Sequence, residues 1–152
     1  MRQPLRKSAQ LRSSRFPGRH SSDLVRLLLD THAYVWWRAN RGKLSTRARR
    51  AIEDRDNIIL LSTASVWELS IKSHTKGWEQ GRVLLLDVER QLEEEGMAAL
   101  PISLVHAREA GSLPLVHRDP FDRMLIAQAR VDGLRLVSNE ALFDAYGVSR
   151  LW

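Results

Sequence analysis

The feature that most limits what this chain can fold into is a repeated alternation. Five short apolar runs, "LVRLLLD" (24–30), "NIILL" (57–61), "MAALPI" (97–102), "LRLVS" (134–138) and "VSRLW" (148–152), are separated by segments carrying helix start and stop signals. Runs of this length bounded by turn residues read as buried strands. Strands alternating with helices predict an α/β fold of three layers, with a central, mostly parallel sheet and helices on both faces. Such sheets place their functional sites beyond the carboxyl ends of the strands.

The intervening helices are expected at 31–40, 44–56, 62–77, 84–96, after Ser103, from Asp119 to near Gly133, and over 139–147. Gly77 to Gly81 reads as a loop, and "LLLDVERQLEEEG" as one amphipathic helix ending at Gly96.

Charge divides the chain in two. Of a formal net charge of +6, all is accounted for by residues 1–26, which hold Arg2, Arg6, Lys7, Arg12, Arg15, Arg19 and Arg26 against Asp23. The rest is neutral. The Arg-, Ser- and Gln-rich stretch 1–24 has no periodicity and reads as a disordered basic tail, leaving 25–152 as one folded domain. There is no cysteine, which excludes disulfides, thiolate metal sites and cysteine nucleophiles, and agrees with a cytoplasmic protein. No apolar run approaches the length of a membrane span.

The acids carry the chemistry. Asp30 ends the first strand, Glu68 lies in the helix after the second, and Glu140 follows the fourth in "SNE". In "HRDPFDRMLIAQA" (117–129), Asp119 before Pro120 reads as a helix N-cap. Asp122 heads the apolar column Leu125, Ile126, Ala129, where an unpaired carboxylate is costly. Each acid has an ordinary structural reading as well. Asp30 can cap a helix, Glu140 can sit in a first turn, and Glu68 can form a surface i, i+4 pair with Lys72. What they share is one predicted edge of the sheet. Converging carboxylates repel unless a cation sits among them, and hard oxygen donors select Mg²⁺ or Mn²⁺. Arg118 and Arg123 flank the acids and read either as phosphate contacts or as solvated helix flanks.

"LLLDTHAYVWW", "STASVWELSIK", "HRDPFDRMLIAQA" and "LRLVSNEALFDAYGV" stand in an order and spacing that resembles PIN-domain proteins of the VapC toxin type, over roughly 25–152. The resemblance implies a PIN fold, a Mg²⁺-dependent ribonuclease activity, a cognate antitoxin and a homodimer. It also implies Asp30, Glu68 and Asp122 as three of the site acids. The fourth position, Thr-x-Asp in the family, reads Ser138-Asn139-Glu140, with an acid one methylene longer. Asp119 matches an extra acid of the subgroup, with cap and outer ligand both open.

The expected function is an endoribonuclease acting on RNA through metal-activated water. Asp30 and Asp122 would hold the metal, Glu68 and Glu140 would complete the catalytic acids, and Asp119, Ser138 and Arg118 would support the site or substrate. Two alternatives are an RNA-binding PIN domain with weakened catalysis and a non-enzymatic metal-dependent switch. A receiver-type switch wants an Asp after a middle strand and a late Lys; "NIILL" is followed by Ser-Thr, and no Lys follows Lys76. A haloacid-dehalogenase phosphatase wants DxDx[TV]; the chain has Asp30-Thr31-His32. Trp36 and Trp37 point about 100° apart on a helix, so one can be core and the other is a candidate for an exposed partner-binding patch, the alternative being two partly buried rings.

Overall fold

A computed structural model describes residues 24–152. The expectation for the basic tail therefore lies outside the described residues, save for Leu24. The elements run β1 (Arg26–Leu29), α1 (Thr31–Ala39), a 3₁₀ turn (Arg41–Lys43), α2 (Thr46–Glu53), β2 (Ile58–Ser62), α3 (Thr63–Thr75), α4 (Glu79–Leu85) and α5 (Val88–Glu94). They continue with β3 (Ala98–Leu100), α6 (Leu104–Ser112), α7 (Pro120–Asp132), β4 (Arg135–Val137), a 3₁₀ segment (Ala141–Tyr146) and β5 (Arg150–Leu151).

The five strands form one sheet in the order β3-β2-β1-β4-β5, every pairing parallel. Alternation along each strand builds the two outer layers. Leu27 and Leu29 of β1 and Ile59 and Leu61 of β2 point into a core with Tyr34, Trp37 and Leu69. Leu28 and Leu136 point the other way, into a core with Leu125, Ile126 and Phe143. β1 is flanked by β2 on one side and β4 on the other, so the chain reverses its direction of winding between β1 and β4. That is the switch point at which a cleft opens beyond the strand ends.

Two expectations about the middle of the chain need correction. Residues 77–81 do not form a loop throughout, because α4 begins at Glu79. Gly81 sits inside that helix. A Cβ there would lie 2.6 Å from the Trp78 ring and 2.5 Å from Ser73 Oγ, so glycine is required by the ring packed on it. Nor is 84–96 one helix. Asp87 takes a left-handed conformation, φ 53°, which ends α4 and starts α5 in a new direction. The amphipathic spacing runs through this break, which hides it from periodicity alone.

Of the tryptophan pair, Trp37 is buried as the core residue. Trp36 is half-buried against Trp152 and His32 rather than free on the surface. The exposed apolar side chains lie elsewhere, at Trp67, Leu104, Leu115 and Val116 among others. Among the described residues no helix is long and apolar enough to cross a membrane.

Candidate functional site

The site is built from helix starts. Asp30 follows β1 and caps α1, its Oδ1 accepting from Ala33 N–H at 2.7 Å. Ser62 ends β2 and caps α3 through Ala64 N–H. This fixes the first turn of α3 and sets Glu68 two turns along, on its inward side. Glu68 is only 4% exposed, so its pair with Lys72, 2.7 Å from Nζ to Oε2, is not the surface contact that spacing suggests. Its other oxygen, Oε1, accepts from the Thr31 hydroxyl at 2.6 Å. Thr31 has one proton to give. Its 3.0 Å contact with Ser65 is therefore one in which Ser65 donates.

Across the cleft, Asp119 caps α7 as expected, accepting from Phe121 and Asp122 N–H at 2.9 and 3.1 Å. Asp122 is the third helical residue, and its side chain is partly exposed. His117 lies beside it, with Nε2 2.9 Å from Asp122 Oδ2 but without the alignment of a hydrogen bond. His117 Nδ1 accepts from Asp119 N–H at 3.4 Å, so Nε2 carries the proton when the ring is neutral.

Arg118 is exposed, as a substrate contact must be. Arg123 is not, and both of its expected readings, phosphate contact and solvated helix flank, are corrected. Its side chain is buried and donates to the carbonyls of Ala110, Leu113, Pro114 and His117. The Tyr146 hydroxyl completes the tie, donating to Pro114 O and accepting from His117 N–H, both at 2.7 Å. Arg123 thus fastens the segment that carries His117 and Asp119 into α7. After β4, buried Ser138 accepts from Glu140 N–H and hydrogen-bonds Asp30. Glu140 is exposed and caps the 3₁₀ segment through Leu142 N–H.

Electrostatics joins these acids into one site. The Asp122 carboxyl is pushed up to about 7, first by burial and then by the charges of Asp119, Glu68, Asp30 and Glu140. Asp30 is also raised, chiefly by its burial, with Ser138 and Ala33 acting against the shift. The acids nevertheless do not close around one point. Among the described residues no three acids or imidazoles form a metal-binding group. Asp30, Glu68 and Asp122 each turn to a local partner, Ala33, the Thr31–Lys72 pair and His117 respectively. In donor type the set suits a hard divalent cation, since carboxylate oxygens surround the residue where negative charge is most crowded.

Sequence reasoning did not single out Thr31, His117 or Tyr146, and it named Arg123 for another role. Thr31 and His117 lie within the quoted motifs next to site acids, which is the signal that was there to use. The roles of Arg123 and Tyr146 depend on contacts across the fold and leave no local pattern.

Comparison with known proteins places this arrangement. The family model described as PIN domain matches residues 27–148. The chain is 32% identical over 121 residues to Ribonuclease VapC22 of Mycobacterium tuberculosis, spanning 77% of this chain and 88% of the relative. Among solved structures it is similar to VapBC2 from Rickettsia felis bound to a promoter DNA fragment, at 17% identity and TM-score 0.59, over 83% of this chain and 97% of the other. It is similar also to VapC20 of M. tuberculosis, a sarcin-ricin loop cleaving toxin, at 14% identity and TM-score 0.59, over 80% and 95%. FitAcB from Neisseria gonorrhoeae matches at 20% identity and TM-score 0.55, over 82% and 95%. These three likenesses are of fold, and the parallel five-stranded sheet with two helical layers is the fold they share. With the family model covering most of the chain and a relative of this identity along it, the chain belongs to the PIN-domain family and is of the VapC type.

Proposed function

We propose that the chain is a Mg²⁺-dependent endoribonuclease, the toxin of a toxin–antitoxin pair, with Mn²⁺ as a substitute metal. The observation that carries this reading is the crowding of Asp122 by Asp119, Glu68, Asp30 and Glu140 beyond the strand ends. The name of the relative, Ribonuclease VapC22, supports the same activity.

Asp30 and Asp122 would hold the cation, with Glu68 and Glu140 acting through water. Bound there, a divalent cation supplies a nucleophilic water at neutral pH and charge neutralisation at the phosphate. The chain's own contribution is placement. Asp30 is oriented by Ala33 N–H and Ser138, and Glu68 by Thr31 and Lys72. Asp119 fixes the start of α7, and with it the direction of Asp122. Arg118, exposed and next in sequence to Asp119, would meet a substrate phosphate. His117 is held beside Asp122, with Nε2 turned to its carboxylate.

An antitoxin protein and a second copy of the chain are the proposed protein partners, supported by the VapBC complex among the structural neighbours and by the exposed Trp67, which packs edge-on against Phe121. One observation favours a second reading. Glu140 is exposed and spends an oxygen on Leu142 N–H, which would suit a domain that binds RNA and cleaves it slowly.

The test is cleavage of a single-stranded RNA with Mg²⁺, Mn²⁺ or EDTA. Cleavage that needs metal and leaves 5′-phosphate and 3′-hydroxyl ends is expected. Metal-independent cleavage leaving 2′,3′-cyclic phosphates would overturn the reading.

A further inference from the structure

The end of the sheet opposite the acid cluster carries a separate cavity of about 490 Å³, between the last turn of α7, the start of β4 and the segment from Tyr146 to Ser149. The length of α7 from Asp122 to Gly133, about 17 Å, lies between the two places. The cavity is lined by Arg130 and Arg135 and by no acid. Arg130 is held in place, with Nη1 donating to Tyr146 O at 3.0 Å and Nε 3.2 Å from Glu109. Arg135 is half-buried, and its Nε–H, shut off from solvent, has no hydrogen-bond acceptor. Other arginines of similar or deeper burial are spent. Arg123 donates to four carbonyls, and Arg150 to Asp144 and Ser138 O. A third guanidinium stands at the rim, since a Cβ on Gly133 would lie 4.0 Å from Arg26 Nη2.

We propose that this cavity binds a phosphate group, carried by a free nucleotide or by an RNA strand away from its point of cleavage. The site shares no residue with the acid cluster, and the inference stands whether or not the chain cleaves RNA. Charge decides the sign of the ligand. Glu109 offsets Arg130, and the carboxyl end of α7 contributes about half a negative charge, so Arg135 and Arg26 leave an excess of about one and a half positive charges. An unanswered buried N–H is costly, and a charge-assisted bond to an anion answers it. Geometry decides the class. Arg135 comes from β4, Arg130 from α7 and Ser149 from the turn before β5, so donors reach the cavity from three segments. A tetrahedral phosphate offers three acceptor oxygens to such a set. A carboxylate offers two in one plane, which a single guanidinium fork already fills. The volume is that of a small-molecule site rather than of a hole for one ion. Half-buried Val148 on its wall gives a sugar or base an apolar contact.

The experiment measures binding to the full chain in EDTA at constant ionic strength. Calorimetry with inorganic phosphate and with AMP reads the free-phosphate source. Anisotropy with a labelled single-stranded RNA bearing a 5′-hydroxyl reads the strand source. Arg135→Gln should weaken AMP binding at least tenfold, and Arg135→Lys, which keeps the charge and loses the fork, should recover part of it. If only RNA binds, Arg135→Gln should lower the slope of log Kd on log salt by about 0.7, one phosphate contact, which assigns the site to the strand. Melting temperature checks that each variant is folded, and Arg130→Gln, at an exposed position, gives the same reading should Arg135→Gln not fold. No binding of phosphate, AMP or RNA by the unaltered chain would overturn the proposal. So would affinities that folded Arg135→Gln or Arg130→Gln leaves unchanged, or binding of a polyglutamate peptide in place of all three.

Discussion

On the α3 side of the site, Glu68 is buried with both oxygens answered, one by the Thr31 hydroxyl and one by the Lys72 ammonium. On the α7 side, Asp122 meets four acids and one poorly aligned imidazole, and its carboxyl is pushed up to about 7. The helices come from opposite layers of the same sheet. Their difference teaches where the cluster keeps its unbalanced charge. The α3 arm is self-neutralised and can be folded without help. The α7 arm is held against its own repulsion by scaffolding behind it, in which Arg123 and Tyr146 tie down the segment that leads into the helix.

The largest expected effect is at the unbalanced end. Asp122→Asn should lower RNA cleavage at least about 100-fold while making the protein more stable above neutral pH. The sign follows from linkage. The folded-state pKa is raised from 3.8 to about 7, so the folded protein binds this proton more tightly than the unfolded chain. The resulting stability is full below about pH 4 and is lost as pH rises through 7. Asparagine removes that loss, worth on the order of 1–2 kcal/mol after solvent screening. Melting temperatures from pH 4 to 8 check it, and an Asp122→Asn curve parallel to the unaltered one would break the contrast between the two arms.

Next in size is the scaffold. Arg123→Met takes the guanidinium from four carbonyls, of which only Pro114 O keeps a donor in Tyr146, and should cost about 3 kcal/mol in urea unfolding. A cost near zero would mean that the segment before α7 needs no tie. The α3 arm gives a smaller effect. Lys72→Met leaves Glu68 buried with one donor, for a loss of about 1–2 kcal/mol, less than for a fully buried pair because Lys72 is partly exposed. Equal losses from the two variants would erase the difference in construction.

The smallest effect belongs to Glu140. Glu140→Gln should slow cleavage only a few-fold, and Glu140→Asp should preserve or raise it, because the longer side chain is exposed and already caps the 3₁₀ segment. Glu140→Gln as inactive as Asp122→Asn would make Glu140 a direct ligand.

The contrast between the arms also marks what could be read from sequence. The first strand was legible because its apolar run is buried on both faces, as Leu27, Leu28 and Leu29 show by pointing into different layers, whereas β3 is exposed at Ala98 and Ala99 and was legible only as a short apolar run. The caps were legible at Asp119, Ser62 and Ser103, where side-chain oxygens meet helix N–H groups. The left-handed Asp87 was not, because a single backbone angle breaks a helix without disturbing its apolar spacing. Glu68–Lys72 was legible as a pair but not as a buried one, since spacing along a helix does not say which face is covered. Arg123 read as a charge beside a site. Only the fold shows that its guanidinium is spent on carbonyls from as far back as Ala110.

The most direct measurement of the central claim is thermal unfolding at pH 8 with and without millimolar Mg²⁺, for the unaltered chain and for Asp122→Asn. A cation that binds among the acids stabilises the folded state by mass action. The account predicts that Mg²⁺ raises the melting temperature of the unaltered chain by several degrees and leaves Asp122→Asn within a degree of its metal-free value. Equal shifts in both proteins, or no shift in the unaltered one, would contradict it.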